Sequence, residues 1–115
     1  MNQLAAFSMT LAIELPLIAL AARRLQPAVS WRRVAAAGMA ASSLTHPLAW
    51  WLRWRLGPDE AVAGFFAIES AVILIETVVL KIGLGWRWRG AAMLSTVVNT
   101  ASAGLGGLIY QAFYA

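Results

Sequence analysis

Cysteine is absent from all 115 residues. No disulfide framework, thiolate metal centre or thiol nucleophile can be built from this chain. Charge is scarce too: 12% of residues are Asp, Glu, Lys or Arg, against roughly 25% in soluble domains. The sequence holds no Gly-rich phosphate loop, no nucleophile elbow, no Glu-x-x-His and no His-Glu-x-x-His, so it offers nothing to the usual nucleotide, serine-hydrolase or zinc-hydrolase chemistries. A soluble catalytic domain is not encoded. An enzyme reading would need residues buried in an apolar layer to do the catalysis.

What the chain has in quantity is apolar surface. It is 61% hydrophobic, with a mean hydropathy of +0.70. Windows of about twenty residues with almost no charge meet the length needed to span a bilayer. Four can be drawn, at about 4–22, 34–52, 61–82 and 91–113. The breaks between them hold Pro27, Gly57, Pro58, Gly83 and Gly85, residues that interrupt helices. The expected fold is therefore all-α, an integral membrane bundle of four transmembrane helices forming one domain over 1–115.

The nine basic residues give a net charge of +4. They sit at the ends of the apolar windows rather than along one polar face, which argues for topology and against a nucleic-acid partner. Arg23, Arg24, Arg32 and Arg33 flank the first connection, Arg53 and Arg55 the second, and Lys81, Arg87 and Arg89 the third. The positive-inside rule then puts the first and third connections in the cytoplasm and both termini outside, in a bacterial inner membrane. No basic segment precedes the first apolar run, which reads as a retained helix rather than a cleaved signal. Trp31, Trp50, Trp51, Trp54, Trp86 and Trp88 fall at window ends, where an aromatic belt is expected. Lys81 is placed to snorkel from the end of the third helix.

Against this background the buried polar residues stand out. An ionised carboxylate at mid-membrane costs about 2.5–3.5 kcal/mol on insertion scales, so such residues usually face the protein interior and mark function. Glu14, Glu69 and Glu76 lie inside the windows, with His46 and Asn99. Glu69 and Glu76 are seven apart, which returns to nearly the same helix face about 10.5 Å further along the axis. Depth counted at 1.5 Å per residue in alternating directions gives two polar layers. His46 falls level with Glu69, and Glu14 with Glu76 and Asn99. Thr45, Ser70, Thr77 and Ser102 are the expected supporting groups. Pro16 and Pro47 each free a carbonyl one turn back, which a polar side chain or water can satisfy. Gly104, Gly106 and Gly107 are expected to let helices approach closely.

Carboxylate and imidazole together suit proton relay, or a divalent metal such as zinc, manganese or iron. The residues thus point to binding or translocation of a small cation by Glu14, His46, Glu69, Glu76 and Asn99, with a divalent metal ion as a cofactor candidate. A bundle this thin points to a homo-oligomer or to other membrane subunits, besides the lipid bilayer. The alternative is a structural or assembly subunit whose glutamates bond a partner, pigment or quinone. The order "ELP", "THP", "ES" with "IET", and "NTASAG" along the four windows resembles a pattern in small bacterial four-helix membrane proteins with no assigned activity. The resemblance covers nearly the whole chain and implies that the polar residues form one site.

Overall fold

The computed structural model describes residues 2–113. They form four helices and one short 3-10 turn: α1 (Gln3–Leu25), α2 (Trp31–Arg53), the turn Pro58–Glu60, α3 (Ala61–Leu84) and α4 (Trp88–Phe113). The class is all-α. Three segments are long and apolar enough to cross a membrane: Gln3–Leu25, Pro58–Leu84 and Trp88–Phe113. Helix α2 matches them in length but is more polar, because Ser42, Ser43, Thr45 and His46 interrupt its apolar run.

Local chemistry sets the helix limits. Asn2 Oδ1 accepts from Ala5 N at 2.8 Å, and Ser30 Oγ from Arg33 N at 3.2 Å. Each cap satisfies an amide that the first helical turn leaves unpaired, worth typically about 1 kcal/mol. At the start of α3, Glu60 Oε2 accepts from Gly57 N at 3.2 Å. Its end is fixed by Gly85, which adopts φ 68°, a left-handed conformation that only glycine enters without strain. There Gly85 N donates to Lys81 O at 2.9 Å, and Arg33 Nε donates to the Gly83 carbonyl at 2.6 Å. Helices α1 and α2 run unbroken through Pro16 and Pro47.

Short connections make sequential helices antiparallel neighbours. Helix α1 packs on α2, α2 on α3, α3 on α4, and α4 returns to α1, while the two diagonal pairs make no close backbone approach among the described residues. A central axis is thus bordered by all four helices. At one end lie the α1–α2 and α3–α4 connections with Arg23, Arg24, Arg32, Arg33, Arg87 and Arg89, and this is the basic end. At the other lie the start of α1 and the α2–α3 connection.

The two halves of the axis differ. Towards the basic end it is filled by one apolar cluster that includes Ile18, Ala22, Val34, Ala37, Leu80, Leu84, Leu94 and Val98. Small residues tighten this half: a Cβ on Gly83 would stand 2.9 Å from Ala37 Cβ, and one on Gly38 would stand 2.7 Å from Leu15 Cδ2. Trp86 also packs here, buried, with no hydrogen-bond partner for Nε1 among the described residues. Trp86 is therefore not part of an exposed belt, whereas Trp31, Trp51, Trp54 and Trp88 are exposed. The glycines of α4 also depart from expectation. Only Gly106 meets a neighbour, Met9 Cε at 3.3 Å, while Gly104 and Gly107 have open space around them.

Candidate functional site

Towards the other end the axis is hollow. A chamber of about 560 Å³ opens there, bordered by all four helices. Its floor carries Glu14 from α1, Thr45 from α2, Glu76 from α3, and Asn99 and Ser102 from α4. Met9, Thr10, His46, Glu69 and Val72 form the walls, and Trp50, Arg53, Trp54, Phe65 and Tyr110 lie towards the mouth.

Helical periodicity explains why these residues meet. On α2, Ser42, Thr45 and Ala49 recur at spacings of three and four, so they share one face, and all three are buried. On α4, Ser95, Asn99, Ser102 and Gly106 do the same. The polar members of these faces find each other. Ser42 Oγ donates to Glu14 Oε2 at 2.7 Å. Asn99 Nδ2 donates to Glu76 Oε2 at 2.7 Å and to Ser95 O at 2.8 Å, which uses both amide hydrogens. Ser95 Oγ in turn donates to the Ile73 carbonyl at 2.9 Å. Both floor carboxyls are deeply enclosed, Glu14 at 2% and Glu76 at 3% exposure.

Thr45 carries one hydrogen but has two acceptors in reach. Its Oγ1 lies 3.0 Å from the Ala41 carbonyl and 2.7 Å from Glu76 Oε1. A carbonyl can only accept. The Ala41 carbonyl already accepts the helical N–H of Thr45, so the hydroxyl hydrogen is free to go to Glu76 Oε1, the shorter of the two contacts. Glu76 thus accepts from Thr45 at one oxygen and from Asn99 at the other, with no basic side chain bonded to it among the described residues.

Glu69 stands apart from the floor. It is bonded to Arg53, whose guanidinium also lies over the Phe65 ring at 5.5 Å from its centroid. The expected His46–Glu69 pair is not formed. His46 is one position past Thr45, which turns it about 100° round the helix, and its ring lies 5.2 Å from Phe7 of α1 and 6.1 Å from Trp50. Arg53, two turns further along α2, has the reach and the permanent charge to take the carboxylate instead. His46 Nε2 is buried with no hydrogen-bond partner among the described residues.

Of the supporting groups, Thr45 and Ser102 border the chamber floor. Ser70 does not: it is exposed on the outer face of α3. Thr77 is buried and bonds back to the Ile73 carbonyl at 2.6 Å, away from the chamber. Two contributors lie outside the site residues expected from sequence, Ser42 and Arg53. Ser42 was signalled by its spacing of three from Thr45. Arg53 reads from sequence as a topology charge alone.

No protein-family model, curated protein or solved structure matches this chain. The chemistry of the chamber is therefore the ground for a functional reading. Among the described residues no three His, Asp or Glu side chains gather closely enough to hold a metal ion. Arg53 engages Glu69 and the His46 ring lies against Phe7, so these two residues do not join Glu14 and Glu76 in one cluster.

Proposed function

We propose that this chain is a four-helix integral membrane protein that binds a proton, or a cation exchanging for one, at Glu14 and Glu76. The observation carrying the proposal is the burial of two carboxyls, Glu14 at 2% and Glu76 at 3% exposure, with no basic side chain bonded to either among the described residues, so that a proton or a bound cation is what would offset their charge. Thr45 and Asn99 hold the site, Ser42 and Ser102 orient Glu14, and the Arg53–Glu69 pair borders the mouth. The long axis of 45 Å matches a bilayer with its headgroups, about 40–45 Å. Helix α2 crosses with the rest because Ser42 and Thr45 turn inward and are hydrogen-bonded, which leaves Ser43 as the exposed hydroxyl of that polar run.

The positive-inside rule favours a cytoplasmic basic end, which leaves the chamber open to the outside. The apolar cluster beneath the floor favours access from one side at a time over an open pore. Infrared difference spectroscopy on the protein in liposomes, between acid and alkaline buffer, tests this. Two protonated-carboxyl bands should respond, and Glu14→Gln and Glu76→Gln should each remove one. If neither substitution alters the spectrum, the proton-binding reading is wrong.

Assembly with a second copy or with other membrane subunits is a further reading, favoured by the outer face of α4. Thr96, Thr100 and Gly104 recur there every four residues and are exposed, the pattern of small residues that lets membrane helices approach. Crosslinking of a Thr100→Cys variant in native membranes tests it, and a chain that stays uncrosslinked counts against that face.

A further inference from the structure

We infer that the chamber takes an organic ammonium cation carrying an aromatic or apolar body, and that the cation enters in exchange for a proton. The inference rests on the reading of Glu14 and Glu76 as a proton site and goes further in naming the ligand class. Size decides first. A proton needs a hydrogen bond and a bare metal ion needs a cage, whereas about 560 Å³ holds well over ten waters at about 30 Å³ each. The volume falls within the roughly 300–1,000 Å³ of small-molecule sites, which combine apolar walls with a few polar groups.

The walls point to the chemistry of the guest. Trp50, Trp54, Phe65 and Tyr110 come from three helices and the connection between α2 and α3, and all face one space. His46 stacks on Trp50, and Trp54 meets Trp50 edge-on with centroids 6.1 Å apart, so an aromatic run descends from the mouth towards the floor. Aromatic faces attract cations through the ring quadrupole, more strongly when water is excluded. Phe65 already receives a cation, the Arg53 guanidinium. Because Glu69 neutralises Arg53, the mouth does not repel a second positive charge.

The exchange balances. One carboxylic acid on the floor releases its proton to water, and the resulting carboxylate pairs with the ammonium, leaving the charge of the chamber unchanged. A neutral guest gains nothing from the floor, and a second buried negative charge without a cation is opposed by the first.

The probe is benzyltrimethylammonium, titrated into the purified full-length chain in detergent by calorimetry and, in weak buffer, by proton release. Its uncharged carbon isostere, neopentylbenzene, is the control. The expected result is saturable binding with about one proton released per cation, and at least tenfold weaker binding of the isostere. Trp50→Leu should weaken the cation severalfold with unchanged helical circular dichroism. The Glu14→Gln/Glu76→Gln double variant should lose both binding and proton release. Should that variant not fold, the isostere comparison on the unaltered chain decides alone. Equal binding of cation and isostere, binding without proton release, or no binding at all would overturn the inference. If the carboxyl bands respond to pH while benzyltrimethylammonium does not bind, the ligand class is wrong and the proton site stands. If the bands do not respond, the proton reading itself has failed.

Discussion

Asn99 of α4 donates to Glu76 of α3 at 2.7 Å, and Thr45 of α2 lies 2.7 Å from the other oxygen of the same carboxyl. Three helices are therefore tied at one side chain. Glutamine reproduces the protonated acid at this point, since its oxygen accepts from Asn99 and its amide donates to Thr45. Glu76→Gln should leave stability within about 0.5 kcal/mol, while Asn99→Leu removes a buried donor and should cost about 1–3 kcal/mol. Thermal unfolding in detergent compares the two. A Glu76→Gln variant as unstable as Asn99→Leu would mean that the resting carboxyl is ionised.

Glycine substitutions should separate the two halves of the bundle. At Gly83 a Cβ meets Ala37 Cβ, with backbone close behind at 3.7 Å and little that can move aside. Gly83→Ala should therefore cost about 1–3 kcal/mol, as overpacking usually does. At Gly107 nothing lies within 4 Å, and Gly107→Ala should be neutral or stabilising by up to about 1 kcal/mol through helix propensity. Equal melting shifts for the two would contradict the packing described.

How far these features were legible in the sequence depends on whether they follow helix geometry or side-chain reach. Helix number and the convergence of Glu14, Glu76 and Asn99 follow from hydropathy and a fixed rise per residue, which antiparallel neighbours convert into depth. The partner of Glu69 did not follow, because depth places Cα atoms and a guanidinium swings several ångströms from its own. Ser70 was misjudged for a related reason: it is adjacent to Glu69, and one step of about 100° carries it off the shared face. The hollow half of the bundle was also hidden. It arises where Gly107, Ala103 and Ala6 leave space between helices that larger residues would fill, a property of four faces together and of none alone.

The absence of cysteine makes access to the chamber directly measurable with single-cysteine variants. Ser102 lines the chamber, whereas Val98, one turn below, is 1% exposed inside the apolar cluster. A hydrophilic maleimide should label Ser102→Cys at least tenfold faster than Val98→Cys, because the charged thiolate needed for the reaction forms only where water reaches. In right-side-out vesicles the labelling of Ser102→Cys should come from the outside. Similar rates at both positions would show that the cluster does not seal the axis.

The same cluster should also hold back protons. Leu80 is 1% exposed and sits between the floor and the basic end, packed with Ile18 and Val98. Leu80→Ala removes most of that side chain and should destabilise the bundle by about 2–5 kcal/mol if the neighbours do not close in. Leu80→Ser would go further, since a hydroxyl below Glu76 gives water a foothold where the native chain has only apolar atoms. In liposomes with a trapped pH dye, Leu80→Ser should leak protons severalfold faster than the unaltered chain, and the leak should fall when Glu76→Gln is added. A leak that ignores Glu76 would run through lipid or a misfolded bundle, and Leu80 would then be a packing residue without a part in sealing the site.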